Sequence, residues 1–340
     1  MGKYKNLKVN ESNNLTKPAM ATGAQKKQIL NTIQESLLDF LSQLNCITSC
    51  SDKVESPLFK KRSSLREIAQ VCVVLKAIHE AVQSGISITK RHIYYLEKDL
   101  FTCQNTVDRI IKRLSKYVFK APKEAFNVIA APKGFFNGNV GFGKNQSSAT
   151  TRLIPTVPFL ANNSANTHIA GILVVEKYTV FEKIVSSHWF ASMKGEILVV
   201  TGCGFPDTAT CVFVSTISTT TKCPVYCLVD FDPCGLDIFA SYVEKLGDVV
   251  VKLLLYKQVK GVFDQIKNTH KLPLNAGDVN RLLRIRAETN DDEVKNVVEL
   301  LLENNCKIEM EAFSSTDESM LLTDSFLPSL FPQYRQKVEE

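Results

Sequence analysis

The sequence predicts an α/β protein in two parts, a helical winged-helix domain followed by a Rossmann-like α/β domain with a mainly parallel sheet. Three observations carry that expectation. Apolar residues recur at helical spacing through the first half. Beyond about residue 168, short and nearly continuous apolar runs alternate with helical stretches, as buried parallel strands and their crossovers do. Charge divides the chain in the same place: residues 1–150 hold 23 Lys and Arg against 11 Asp and Glu, net +12, and residues 151–340 hold 18 against 24, net −6.

The 340 residues, 44% hydrophobic and 22% charged, have the composition of an ordinary globular protein of about two domains. No run approaches the roughly 18 apolar residues of a membrane helix, so no membrane partner is expected. The opening MGKYKNLKVN offers no apolar signal segment, which makes an intracellular location the default. The ten cysteines then read as reduced, half-buried side chains, and neither Cys46/Cys50 nor Cys223/Cys227 has zinc spacing.

Residues 1–28 lack an apolar period and read as a disordered tail. A helix over 29–45 and a connector over 48–57 follow. A second helix spans 63–84, with Ser63 or Ser64 as N-cap and Gly85 as its stop. Thr89 can cap a short helix, KRHIYYLEKDLF. After a break, TVDRIIKRLSKYVF sets Val107, Ile110, Ile111, Leu114 and Val118 on one face and Arg109, Lys112, Arg113 and Lys116 on the other. FNVIAAPKGFFNGNVGF suits a β-hairpin. Three helices, the third one basic, with a hairpin make a winged helix over 29–150, in which that helix approaches a DNA groove. Residues 151–168 read as a linker. Over 165–340, HIAGILVVEK, GEILVVTG and CPVYCLVD are strands, each followed by a helical stretch.

In open α/β sheets the chemistry gathers outside the carboxyl ends of the strands. Glu176 ends one predicted strand, Asp230 and Asp232 end another, and the turn TGCGFPD (201–207) lies between them in sequence. Three converging carboxylates repel one another unless a hard cation such as Mg²⁺ joins them. The alternative is that each caps the helix that follows. In the first half, Arg91 and Tyr95 stand at i and i+4 on one helix face. An ordinary tyrosine is only about one part in a thousand ionised at neutral pH, so its activation needs roughly 4 kcal/mol from its surroundings or a base. The alternative is that Tyr94 and Tyr95 are both core aromatics.

TKRHIYYLEKDLF with QNTVDRIIKRL resembles the active-site motif of the meiotic double-strand-break transesterase (Spo-eleven) family, homologous to the A subunit of topoisomerase VI. In the same order, APKGFFNG resembles that family's Ser-x-x-Gly-Leu hairpin and GILVVEKYTVFEKI its first Toprim strand. TGCGFPD resembles its Thr-Gly-Lys-Gly-x-Pro-Asp turn, LVDFDPCGLDI its Asp-x-Asp-Pro-x-Gly motif, and KLPLNAGDVNRLL and KIEMEAF its C-terminal motifs. The resemblance covers roughly residues 63–313. It implies a 5Y-CAP winged-helix domain and a Toprim domain, working in the nucleus as a homodimer or as a heterodimer with a paralogue, with active sites between protomers.

By resemblance, Tyr95 is the nucleophile, Arg91 binds the phosphate, and Glu176, Asp230 and Asp232 hold Mg²⁺. Lys90, Lys112, Arg113, Lys116 and Lys133 are the candidates for contacting double-stranded DNA. The implied activity is meiotic double-strand cleavage leaving a 5′-phosphotyrosyl link, in the ATP-dependent type IIB topoisomerase class. The further partners it implies are meiotic accessory proteins and a topoisomerase VI B-like subunit. The alternatives are a non-cleaving DNA-binding paralogue and a topoisomerase VI A subunit. Three positions depart from the family: His92 replaces an acid, Cys203 a Lys or Arg, and Cys211 an Arg. The stretch from Gly235 to Pro273 is also shorter than usual.

Overall fold

A computed structural model describes residues 23–47, 65–142, 150–156, 165–166, 169–193, 195–254, 266, 268–314, 322–323 and 327–330. The connector 48–57 and both proposed caps at 63 and 64 lie outside them. The described residues form two compact units, one ending at Ala131, the other taking Pro132–Pro155 and the described chain from 165 onward.

The first unit is helical. Its elements are α1 (Gly23–Ile47), α2 (Leu65–Ser84), α3 (Lys90–Leu96), α4 (Lys98–Phe101) and α5 (Gln104–Arg113), which runs on into a π-turn over Leu114–Val118. Helix α1 begins at Gly23, inside the stretch read as tail. The apolar stripe of α2 supplies the centre, with Val71, Val74, Leu75 and Ile78 buried against Ile33 of α1, Ile93 of α3, and Val107, Ile110, Ile111 and Leu114. Gly85, at φ +71°, ends α2 as the sequence predicts, in a conformation only glycine adopts without strain. Thr89 caps α3, its hydroxyl accepting the His92 N–H at 3.0 Å.

The hairpin expected over 126–142 does not form. Val128–Ile129 (β2) pairs in parallel with Ile88–Thr89 (β1), and Phe135–Asn137 (β3) leaves for the other unit. There β3 lies antiparallel beside Ile197–Thr201 (β8), and its outer side is covered by Arg152–Leu153 (β5), inside the stretch read as linker. Two contacts account for the recruitment. Phe136 packs on Phe213 with ring centroids 4.6 Å apart, and a side chain at Gly134 would meet Thr210 and the Thr201 carbonyl. An exposed β8 edge is thereby paired. A second short pair joins Gly141–Phe142 (β4) and Ala165–Asn166 (β6).

The second unit carries the predicted parallel sheet. Its strand order is β10-β9-β7-β8-β3-β5, with β7 Gly171–Val175, β9 Val225–Leu228 and β10 Val251–Leu253; β10, β9, β7 and β8 are parallel. Every residue of β7 and β8 is buried, as in strands covered on both faces. The crossovers are α6 (Tyr178–Val185) with α7 (His188–Ser192), α8 (Thr208–Thr221) and α9 (Pro233–Leu246). Beyond them, Lys271–Pro273 (β11) pairs with Cys306–Ile308 (β12) around the helical pair α10 (Ala276–Glu288) and α11 (Asp292–Asn304). Among the described residues no helix is long and apolar enough to cross a membrane.

Candidate active site

Strand β7 lies between β8 and β9, so the chain's crossovers diverge on either side of it and their carboxyl ends meet at one edge. Glu176 leaves the end of β7, the glycine turn leaves β8, and Asp230 and Asp232 follow β9. The turn is stitched to the first strand: Gly204 N–H and Thr201 Oγ1 both donate to the Glu176 carbonyl, at 2.9 and 3.3 Å. Glu176 Oε2 in turn accepts the Asp230 N–H at 2.9 Å.

The three acids have different surroundings. Burial, then the neighbouring Asp230 and Asp232 charges, push the Glu176 carboxyl up to about 7. Asp230, 5% exposed, is also raised by burial, but it accepts the Met310 N–H and the Lys177 ammonium, both at 2.9 Å. Asp232 realises the capping alternative: its Oδ1 accepts Gly235 N–H at 2.6 Å at the start of α9. A side chain at Gly235 would collide with the Asp230 carbonyl, which explains a glycine three residues beyond Asp232. Neither Glu176 nor Asp230 caps the helix that follows it; the Asp230 oxygen instead takes the first N–H of the turn at Met310–Ser314.

Lys177 has no place in the sequence reading. Its ammonium joins Asp230, Glu311 at 2.8 Å and Glu309 at 3.4 Å, and those hydrogen bonds outweigh burial to hold it protonated. The signal for it was the Glu309/Glu311 pair in KIEMEAF, two acids on alternate residues that a folded-back segment lays beside Asp230. No group of three His, Cys, Asp or Glu side chains among the described residues is arranged to hold an ion. The chemistry of the donor set nonetheless fits a hard cation: all three donors are carboxylates, and at Glu176 the Asp230 and Asp232 charges add to the burial that raises it.

In the helical unit, α3 separates its two tyrosines. Tyr94 is half-buried against the core, whereas Tyr95 is 57% exposed, and their rings stand 5.2 Å apart. Arg91, one turn before Tyr95, is exposed, and so is His92.

The five basic candidates divide. Lys112 and Lys116 face solvent, Lys116 lying over the Tyr117 ring. Lys90 pairs with Asp108 at 2.8 Å, and Arg113 with Glu67 at 2.9 Å. Lys133 lies in the second unit, where its ammonium donates to the Cys203 carbonyl at 3.1 Å and its N–H to Asp207 Oδ2 at 2.9 Å. Cys203 lies in this turn and Cys211 on the helix that follows it. Cys203 takes φ +50°, and burial pushes the Cys211 thiol up to about 12, leaving it unreactive. Lys133 and Lys245, the latter 2.7 Å from the Pro206 carbonyl, bring cations to the turn.

Comparison with known proteins follows the same division. Residues 66–128 match the family described as "Type IIB DNA topoisomerase", and residues 171–254 match the Toprim domain of the topoisomerase 6 A-subunit/Spo11 family. Domain models of the topoisomerase 6 A-subunit/Spo11 family thus match two successive parts of the chain. The chain is 28% identical over 284 residues to meiotic recombination protein SPO11-1 of Oryza sativa subsp. indica, covering 77% of this chain and 73% of that one. Identity to meiotic recombination protein SPO11-1 of Arabidopsis thaliana is 26% over 332 residues, or 91% and 90% of the two chains. The A subunit of DNA topoisomerase 6 from the same plant is 28% identical over 199 residues, 56% of this chain and 45% of its own.

Proposed function

We propose that this protein is the DNA-cleaving transesterase that makes meiotic double-strand breaks. The observation that carries the reading is the sorting of the tyrosine pair: Tyr95 projects from α3 into solvent with Arg91 one turn away, while Tyr94 packs half-buried against the core. Two relatives named for meiotic recombination, the SPO11-1 proteins of rice and Arabidopsis, align over 77% and 91% of the chain, against 56% for the topoisomerase subunit, which supports the meiotic role.

In this proposal the Tyr95 oxygen attacks the phosphorus of a backbone phosphodiester. The bond from phosphorus to the 3′ oxygen breaks, the 3′-hydroxyl leaves with a proton, and the 5′ phosphate stays on the tyrosine. Arg91 fixes the phosphate and offsets charge gathering on its oxygens. Glu176, Asp230 and Asp232 would hold a divalent cation, Mg²⁺ in this proposal, which when bound stabilises charge on the phosphate and leaving oxygens. Lys177 keeps Asp230 ionised and oriented, and Thr201 with Gly204 fixes the backbone of Glu176. Tyr95 and the acids stand on separate compact units, the winged-helix and Toprim domains of the proposal. Two copies, or a copy and a paralogue, act on double-stranded DNA in the nucleus. Accessory proteins together with a B-like subunit complete the assembly, and any ATP use belongs to that subunit.

The test is to isolate covalent protein on DNA ends from meiotic cells. Tyr95→Phe is expected to abolish the adducts while leaving DNA binding nearly intact, and Tyr94→Phe to retain them. Swapped behaviour moves the nucleophile to Tyr94; adducts surviving in both variants refute the transesterase.

A further inference from the structure

A closed circuit of contacts runs round the acidic strand ends, and part of it comes from the segment that follows β12. The Asp230 N–H donates to Glu176 Oε2 at 2.9 Å. Both Asp230 oxygens are taken, Oδ1 by the Met310 N–H and Oδ2 by the Lys177 ammonium, each at 2.9 Å. Glu311, next to Met310, closes the circuit. Its Oε2 accepts from Lys177 at 2.8 Å and its Oε1 from the Thr179 hydroxyl at 3.0 Å. Lys177 directly follows Glu176 and Thr179 lies in the first turn of α6, so one carboxylate spans the entry to that helix. The segment that bears it is anchored in turn, because Phe231 and Ile308 exchange backbone hydrogen bonds at 2.9 and 3.0 Å. Glu309 is the looser partner, 3.4 Å from the same ammonium and 58% exposed.

Rigid spacing between donors is what separates small divalent cations from large ones. Mg²⁺ demands near-ideal octahedral geometry at about 2.0–2.1 Å, whereas Ca²⁺ accepts irregular shells at about 2.3–2.6 Å. Groups that orient the donors without touching the ion are commonly worth about 10–100-fold in affinity. Asp232 is fixed by its own cap on α9, but Glu176 and Asp230 depend on the circuit. We propose that Glu311 is a positioning residue: through Lys177 and Thr179 it holds Glu176 and Asp230 at the spacing a small divalent cation needs, and so selects Mg²⁺ or Mn²⁺ over Ca²⁺. This rests on the divalent site of the proposed function.

The test is Mn²⁺ binding to the full chain without DNA, read from the electron paramagnetic resonance signal of the free ion, with Mg²⁺ and Ca²⁺ as competitors. Glu311→Gln and Glu311→Ala remove the same charge, but only the amide can still accept from Lys177 and meet the Thr179 hydroxyl. Position and charge are thereby separated. Glu311→Ala is expected to bind Mn²⁺ about tenfold more weakly than Glu311→Gln, and to lose most of the preference for Mg²⁺ over Ca²⁺ that the wild type and Glu311→Gln share. Equal Mn²⁺ affinity in the two variants would mean that Glu311 acts by charge alone and overturns the inference. A preference unchanged in Glu311→Ala overturns the selectivity. If Glu311→Ala does not fold, Thr179→Val decides in its place. That variant changes no charge at an exposed position and is expected to weaken Mn²⁺ roughly threefold, wild-type affinity overturning the inference. Wild-type protein that binds no divalent ion removes the metal from the proposed function and this inference with it, whereas wild-type binding that the variants leave unchanged removes the inference alone.

Discussion

Burial, and after it the Asp230 and Asp232 charges, disfavours the charged form of Glu176, whereas Asp230 already has Lys177 and the Met310 N–H. This alters what a charge-removing substitution does. Asp230→Asn takes away one of the three carboxylates around the half-buried Lys177 ammonium and is expected to destabilise the protein. Glu176→Gln removes an uncompensated charge and preserves the oxygen that receives the Asp230 N–H. With its carboxyl raised to about 7, folded Glu176 holds its proton more tightly than the unfolded chain does. Its protonated form therefore favours the fold below the ordinary carboxylate range, and that contribution is lost as pH rises from there to about 7. The full effect is up to about 3 kcal/mol. Without divalent metal, Glu176→Gln is expected to be more stable than wild type at pH 8 by roughly 1–3 kcal/mol and equal to it near pH 4, read from urea unfolding. Adding Mg²⁺ at pH 8 should stabilise the wild type more than the variant, by mass action on the folded state. A variant less stable than wild type at pH 8 would mean that Glu176 carries no charge strain.

Helix α10 shows how an element is held at both ends of the sequence that builds it. Asn275 and Asp278 form a capping box, each side chain accepting the other's N–H, at 2.9 and 3.2 Å, and Lys307 of β12 reaches Asp278 at 2.8 Å. The Lys307 hydrogen bond holds the Asp278 carboxyl below its ordinary value. A carboxyl depressed by folding stabilises above its unfolded value, and the contribution disappears as pH falls through the folded one. Asp278→Ala is expected to cost about 1 kcal/mol at neutral pH, the usual worth of a helix-capping acceptor. The difference from wild type should shrink on acidification; a constant difference from pH 7 to pH 2 would show that Lys307 contributes nothing. Elements of this kind were legible where local chemistry governs: Thr89 before α3, Gly85 after α2, and the all-apolar runs of β7 and β8. The strand at Phe135–Asn137 was not, because its own residues suit a hairpin equally well. Its partner was chosen by the open edge of β8 and by Phe213, far along the chain. The acids at the strand ends were legible for the same reason as the strands, whereas Lys177 acquires its role only when Glu309 and Glu311 are folded back beside it.

Across the whole molecule the net charge of +12 in residues 1–150 is the feature that fits a polyanion, and the structure sorts the cations that produce it. Lys90 and Arg113 answer carboxylates, and Lys133 serves the glycine turn. Lys112, on α5, and Lys116, in the π-turn that continues it, remain in solvent. A phosphate contact by a solvated lysine releases a condensed counterion, and for duplex DNA each such contact adds about 0.9 to the magnitude of the slope of log affinity against log salt. A lysine that must first leave an aspartate gives back part of what it gains. Lys112→Gln with Lys116→Gln is therefore expected to weaken binding to unrelated duplexes alike and to flatten the salt slope by about 1.8. Lys90→Gln, which also frees Asp108 to repel the backbone, should weaken binding at low salt and change the slope by less than one contact. The experiment is an anisotropy titration of two duplexes of different sequence at four salt concentrations. Equal slopes for wild type and the double variant would return Lys112 and Lys116 to a merely solvated face.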